Sequence, residues 1–144
     1  MTTRKSPHRG ALLGAALLAS TMLAPLASAQ DVKPLKIGVL TDLNSVYSDI
    51  GGKGNIEAAK MAIEDFGGQM FGKPIELVSA DATKPDVAAT LARKWWEQEN
   101  VDAIIDMPTS ATALAVMELS KQFEKPLLIT DAASSDITGK SCSP

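Results

Sequence analysis

The sequence has few of the side chains that catalytic and metal sites usually require. Its 144 residues include one His and one Cys, and His8 lies in a segment that we predict to be removed. The rest of the chain offers no imidazole for acid–base chemistry or metal binding, and a Ser-His-Asp triad is excluded within it. Cys142 has no partner for an internal disulfide, so its partner is expected outside this chain. We predict neither an enzyme nor a bound cofactor or metal.

Residues 1–29 have the pattern of a secretory signal peptide. Three basic residues precede an apolar run over residues 11–26, and the small residues 27–29 fit a signal-peptidase site. The run is short for a transmembrane helix, which needs about 20 apolar residues. Because no Cys stands at the cleavage site, a lipid anchor is not supported. We predict cleavage after Ala29 and a free protein in the periplasm.

Net charge and length indicate which partners are excluded and how many domains to expect. The whole sequence carries a net charge of −3, and removal of the three basic residues of the leader takes it to −6. This balance argues against nucleic acid as a partner. Residues 30–144 would make one small domain, but they end in a Ser- and Gly-rich stretch where another helix or strand would be expected. We therefore expect the sequence to be the beginning of a longer protein.

Strand and helix patterns alternate along the mature chain. Apolar runs typical of buried parallel strands alternate with segments whose apolar residues recur every three or four positions. Predicted strands cover Leu35–Thr41, Ile75–Ala80, Val101–Asp106 and Leu127–Thr130, and predicted helices cover Lys53–Phe66, Pro85–Asn100 and the segment from Thr109 to Phe123. This order is typical of an α/β fold with a doubly wound parallel sheet. Trp95 and Trp96 point about 100° apart on one helix, so we predict Trp95 in the core and Trp96 at an edge or contact surface.

Polar side chains gather in the loops after the first, third and fourth predicted strands. With strand order 2-1-3-4, these loops face one crevice at the carboxyl ends of the strands, where α/β proteins bind ligands. The loops contain Asn44, Ser45, Tyr47, Ser48, Thr109, Ser110, Ser134 and Ser135. Thr109, Ser110 and Thr112 also begin a helix, whose free amides and dipole favour an anion such as a carboxylate. An ordinary N-cap is the simpler alternative for this cluster.

Three patterns resemble functional motifs, but each departs from the motif that it resembles. Residues 67–73 have the spacing of a phosphate-binding loop, but Pro74 replaces the required Ser or Thr, so we predict a turn. Gly51, Gly52 and Gly54 lack the order of a dinucleotide fingerprint. Asp42 and Asp106 end two strands as in a phospho-accepting receiver domain, yet the second acid that would hold magnesium is missing. We interpret Asp42 as an acceptor for amides of its own loop.

Several segments together resemble a known family. The leader, the stretch IGVLTDLNSVYSDIGGKGNIEAAKMAIEDFGG, the second strand GKPIELVSAD, and the loops PTSATALAV and ITDAASS are similar to the amino-terminal part of a periplasmic substrate-binding protein of an ABC importer. The similar family binds branched-chain amino acids (leucine, isoleucine and valine) and has the type I periplasmic-binding fold. The resemblance covers essentially the whole mature chain. Residues 30–144 are then expected to form part of the first of two lobes.

The resemblance implies a receptor that captures a small polar solute, an amino acid or another carboxylate, and delivers it to an ABC permease. It implies that hydroxyls and backbone amides bind the ligand carboxylate, that an alanine carbonyl can accept from an ammonium, and that a tyrosine walls the pocket. The corresponding positions are Tyr47, Thr109, Ser110, Ala132, Ala133 and Ser134. Aromatic acids, amides and urea remain open as ligands, because the contacts of the second lobe are absent. The alternatives are a ligand-sensing ectodomain with the same fold and an exported α/β enzyme.

Overall fold

The computed structural model describes Met1, Thr2 and residues 32–142. The chain divides into two units, Met1–Gln30 and Asp31–Pro144, and every element below belongs to the second. The predicted signal peptide beyond Thr2, with its cleavage site, lies outside the described residues. In the part of the chain that the structure describes, no helix combines the length and the apolar character needed to cross a membrane.

Six strands and four helices make up the described fold. They follow the predicted alternation, with a small hairpin and a short helix added. In chain order they are β1 Lys36–Thr41, α1 Gly52–Asp65, β2 Gln69–Met70, β3 Lys73–Pro74, β4 Glu76–Asp81, α2 Pro85–Glu97, β5 Ala103–Asp106, α3 Ser110–Phe123, β6 Leu127–Ile129 and α4 Ser135–Thr138.

The main sheet is parallel, in the order β4-β1-β5-β6. Since β4, β5 and β6 are the second, third and fourth predicted strands, the order 2-1-3-4 is confirmed. Neighbouring residues of a strand point to opposite faces. Ile37 lines an apolar groove with residues of α1, whereas Gly38 lies against Trp95 of α2. Helices therefore cover both faces, and the predicted doubly wound α/β fold is confirmed.

Both tryptophans of α2 are buried, which corrects the prediction for Trp96. Trp95 packs on β1 at Gly38, where an added Cβ would collide with the indole ring. Trp96 is only 7% exposed, and its ring lies 5.8 Å from the Phe123 ring, centroid to centroid. The Arg93 guanidinium covers the same Phe123 ring at 5.5 Å. Because α2 packs against α3 as well as the sheet, its buried stripe is wide enough for both indoles.

The segment predicted as a turn is a two-residue hairpin. Strands β2 and β3 pair antiparallel, and the connecting residues Phe71 and Gly72 have φ angles of 53° and 75°. Two successive residues with positive φ are typical of the type I′ turn, whose twist matches the flanking strands. The Ile75 amide then donates to the Gly68 carbonyl at 3.0 Å, which leads the chain into β4.

Candidate functional site

Three loops leave the carboxyl ends of the parallel strands and meet at one rim of the sheet. The Ser134 amide in the loop after β6 donates to Ser110 Oγ after β5, at 3.1 Å. In the same loop, Asp131 Oδ2 accepts from Asn55 Nδ2 of α1 at 2.9 Å. The structure thus brings Ser110 and Ser134 together, as the strand order predicts, and ties both to the start of α1.

Helix α3 begins at this rim with a capping box. Thr109 Oγ1 accepts from the Thr112 amide and Thr112 Oγ1 accepts from the Thr109 amide, both at 3.1 Å. The N-cap alternative therefore holds for Thr109, and a ligand would compete with Thr112 Oγ1, 3.1 Å from Thr109 Oγ1, for the hydroxyl proton of Thr109. The Ala113 amide donates to the Thr109 carbonyl, so the amides of Ser110 and Ala111 precede the first intrahelical donor and have no acceptor within the helix. These two amides point out of the helix end toward any anion placed there.

The loop after β6 has a second cap that the sequence analysis missed. Ser134 is the N-cap of the short helix α4, and its Oγ accepts from the Asp136 amide at 3.2 Å. Because the Ser134 amide already donates to Ser110 Oγ, the hydroxyl proton is the donor that Ser134 can offer a ligand. Ala132 is half-buried against the hydrophobic core, and Ala133 is exposed.

Asp42 organises the loop after β1, as we interpreted it. Its buried carboxylate accepts from the amides of Asn44, Ser45 and Tyr47 at 3.0, 2.7 and 2.9 Å, and from the Ser45 hydroxyl. Burial by itself raises the pKa of Asp42, but the hydrogen bonds from Ser45, Tyr47 and Asn44 outweigh it and hold the pKa below its ordinary value. The amide of Tyr47 is fixed in this way, and its side chain is 43% exposed.

A polar cluster, formed by Thr41, Asn55, Asp106, Thr130 and Asp131, lies where β1, β5 and β6 end, and within it Thr41 and Asp106 are buried whereas Thr130 is exposed. Asp106 is 1% exposed, and its Oδ1 accepts from Thr130 Oγ1 at 3.2 Å. Among the described residues, Asp106 Oδ2 and Thr41 Oγ1 are buried without a hydrogen-bond partner. Burial raises the pKa of Asp106 and the charge of Asp131 adds to this, against the interactions with Thr41, Asn55 and Thr130. The sequence indicates Asp106 as an acid at a strand end, either as in a receiver domain or as a cap of its loop, and does not predict this cluster.

The backbone at the end of β5 is strained. Asp106 and Met107 have φ angles of 88° and 87°, a region that costs a non-glycine residue about 1–3 kcal/mol. The Met107 amide donates to the Leu40 carbonyl at 3.0 Å, and the Thr130 amide donates to the Asp106 carbonyl at 3.2 Å. These bonds hold a conformation that turns the chain sharply into α3. Such strain clusters at ligand sites and switch regions.

The arrangement suits binding of a small anion. It combines the amides of Ser110 and Ala111 at the start of α3, the hydroxyls of Thr109 and Ser134 on two joined loops, and the positive end of the α3 dipole. Within residues 32–142, no group of three or more His, Cys, Asp or Glu side chains is placed to hold a metal ion.

Comparison with known proteins agrees with this fold. Residues 34–144 match the family model described as "Periplasmic binding protein". A branched chain amino acid ABC transporter periplasmic ligand-binding protein from Burkholderia xenovorans LB400 is 48% identical, with a TM-score of 0.74 over 76% of this chain and 29% of that chain. A periplasmic binding protein from Burkholderia mallei is 39% identical, with a TM-score of 0.73 over 77% of this chain and 30% of that chain.

A third structure contains a bound small molecule. The solute binding protein of an ABC transporter from Rhodopseudomonas palustris BisB5, in complex with 3,4-dihydroxy benzoic acid, is 28% identical, with a TM-score of 0.67 over 73% of this chain and 29% of that chain. No curated protein matches the chain. The chain spans less than a third of the length of each of these three structures. The family match covers most of the sequence, so the chain belongs to the periplasmic binding protein family.

Proposed function

We propose that this chain is part of the solute-binding component of an ABC importer, which captures a small carboxylate in the periplasm and delivers it to a membrane permease. The observation that carries the proposal is the hydrogen bond from the Ser134 amide to Ser110 Oγ. It places the open start of α3 and the loop after β6 side by side at one rim. In an α/β fold, that rim is where ligands bind.

Each proposed ligand contact has a defined group in the protein. The amides of Ser110 and Ala111 and the hydroxyl of Thr109 face the carboxylate from α3. Across the rim, the Ser134 hydroxyl and the backbone of residues 132–133 complete the corner, with the Ala132 carbonyl placed to accept from an ammonium. Tyr47, exposed on the loop after β1, forms the wall of the pocket. A second lobe closes over this surface in a hinge motion.

The proposed ligand class follows from the donors and is supported by the relatives. One relative is named for branched-chain amino acids and another binds a dihydroxybenzoic acid. These two ligand types differ in size and in the ammonium group, but both carry a carboxylate. We propose a carboxylate for this chain, with a branched-chain amino acid as the finer assignment and an aromatic acid as its competitor.

A thermal-shift screen of the complete binding protein tests this proposal. The test ligands are L-leucine, L-isoleucine, L-valine and 3,4-dihydroxybenzoate, and leucinamide and 3,4-dihydroxybenzamide are matched controls without the carboxylate. A ligand at a hundredfold its dissociation constant adds about 2.7 kcal/mol of stability, which gives a clear shift. We expect at least one carboxylate to stabilise the protein and its amide to have little effect. Equal shifts from an acid and its amide, or none from any acid, would refute the carboxylate proposal.

The two-lobe arrangement makes a further prediction for the chain by itself. Because the chain spans 29–30% of the length of the three relatives, the rim described above is expected to supply only part of the binding surface. Titration calorimetry of the chain alone should therefore give much weaker binding than the complete protein. Equal affinities would contradict closure between two lobes.

A further inference from the structure

The buried carboxyl of Asp106 lies close in sequence to the proposed anion site, four residues before Ser110. Its Oδ2 atom is buried and has no partner among residues 32–142. An ionised carboxylate with an unsatisfied oxygen is strongly unfavourable in a buried site. A negative charge here would also oppose a carboxylate ligand at the start of α3. The local geometry thus disfavours the charged form of Asp106.

A second buried atom without a partner lies on the neighbouring strand. Thr41 Oγ1 is also buried and unpaired among the described residues, and Thr41 directly follows Leu40, which is paired in register with Asp106. The Thr41 hydroxyl can accept a proton from an uncharged Asp106 or donate its own proton to an ionised one, and the second interaction lowers the pKa of Asp106. The contact with Thr41 therefore fits either charge state, and it is burial next to Asp131 that favours the uncharged one.

The charged and polar groups around Asp106 come from every neighbouring element. Asp131, in the loop after β6, raises the pKa of Asp106 by its negative charge. Asn55 of α1 binds Asp131 and is neutral, and the adjoining side chains Thr41 and Thr130 are neutral too. Asp42, at the end of β1, directs its carboxylate to amides of its own loop. No cation among these groups offsets a charge on Asp106.

We propose that Asp106 is a positioning residue that acts in its uncharged form, holding the loops after β5 and β6 together and keeping a buried negative charge away from the carboxylate site. The hydrogen bond from the Thr130 hydroxyl to Asp106 Oδ1 is the side-chain contact that it maintains, next to the backbone hydrogen bond from the Thr130 amide to the Asp106 carbonyl. The proposed effect of Asp106 on ligand binding rests on the proposed function. The proposed uncharged state of Asp106 does not.

The pH dependence of folding distinguishes the two charge states. With a pKa raised above the ordinary 3.8 in the folded state, the stabilising contribution of Asp106 is fully present at low pH and is lost as pH rises through the folded-state pKa. Asp106→Asn keeps the shape of the neutral carboxyl and cannot ionise. Relative to the parent protein, this variant should therefore gain stability as pH rises from about 4 to about 8.

Urea unfolding of the complete protein without ligand tests this across that pH range. The denaturation midpoint of Asp106→Asn should rise relative to the parent with pH, whereas Asp65→Asn, an exposed acid at the end of α1, should follow the parent. Asp131→Asn should move the parent's loss of stability to lower pH, because it removes the neighbouring charge. A midpoint of Asp106→Asn that falls with pH relative to the parent, or follows Asp65→Asn, would overturn the proposal.

Two further measurements keep the test decisive. If Asp106→Asn does not fold, carbon NMR titration of the Asp106 carboxyl in the parent protein replaces it, and titration at or below 3.8 would refute the uncharged form.

The proposed effect on ligand affinity is tested with L-leucine and 3,4-dihydroxybenzoate as probes. We expect the parent's affinity for the bound probe to weaken as pH rises and that of Asp106→Asn to stay constant, and parallel pH profiles would refute this part. If neither probe binds the parent, the proposed function fails for these solutes while the unfolding data still decide the state of Asp106.

Discussion

The amide of Ser134 donates a hydrogen bond to Ser110 Oγ, 3.1 Å away and 24 residues earlier in the chain. This contact joins the first turn of α3 to the N-cap of α4, so two helix starts share one hydroxyl. Ser110 is therefore expected to do two things at once. We propose that it presents an amide and a hydroxyl to the ligand, while its contact with the Ser134 amide holds the loop after β6.

Replacement of Ser110 by Ala should weaken ligand binding by about 1–3 kcal/mol, since it leaves the Ser134 amide and a bound carboxylate short of a partner. Titration calorimetry of the complete protein, with the carboxylate that gives the largest thermal shift, measures this effect. Hydrogen exchange at the Ser134 amide should also become faster. Ser135→Ala, a neighbouring exposed position, is the matched control and should change neither quantity. Unchanged affinity in Ser110→Ala would remove Ser110 from the site.

The capping box of α3 predicts a cost in stability for Thr109. Thr109→Val keeps the size of the side chain but removes the acceptor for the Thr112 amide, and loss of such a cap typically costs about 1 kcal/mol. Thr109→Ser keeps the acceptor and serves as the control. Urea unfolding should show a lower midpoint for the valine variant and little change for serine. If both variants unfold at the parent's midpoint, the cap contributes nothing measurable.

The order of the strands was predictable from sequence because it depends on local patterns. Apolar runs such as the one ending at Asp106 alternate with helical segments, and the handedness of the crossovers limits the arrangements. The burial of Trp96 was not predictable in this way. Helical periodicity shows which side chains share a face but not which neighbours cover it, and here α3 covers Trp96 through Phe123.

The site was predictable only in part for a similar reason. Thr109 and Ser110 could be found because hydroxyls before an apolar helical segment are a local signal. The link between Asn55 and Asp131 joins residues 76 positions apart, and neither belongs to a recognisable motif. The second cap at Ser134 was missed because α4 has four residues, too few to show a helical period.

Gly38 should tolerate no side chain, since an added Cβ would collide with the ring of Trp95. Gly38→Ala is expected to destabilise the protein by about 1–3 kcal/mol, the usual cost of overpacking a core. Gly54, inside α1 with nothing within 4 Å of an added Cβ, is the matched control. Gly54→Ala should stabilise the protein by about 0.5–1 kcal/mol, because alanine loses less backbone entropy in a helix. Equal effects at the two positions in thermal unfolding would show that the contact with Trp95 is not close.

Asp42 should show the opposite pH dependence to Asp106, because the hydrogen bonds from its loop lower its folded-state pKa below the ordinary 3.8. A lowered pKa gives a stabilising contribution that is fully present above the unfolded-state value and is lost as pH falls through the folded-state value. Asp42→Asn cannot ionise, so its deficit in unfolding free energy should be largest near neutral pH and should shrink below about pH 4. Asp49→Asn, an exposed acid in the same loop, controls for the general effect of removing a charge. A deficit for Asp42→Asn that stays constant down to about pH 2 would show that the carboxylate charge contributes nothing to the loop.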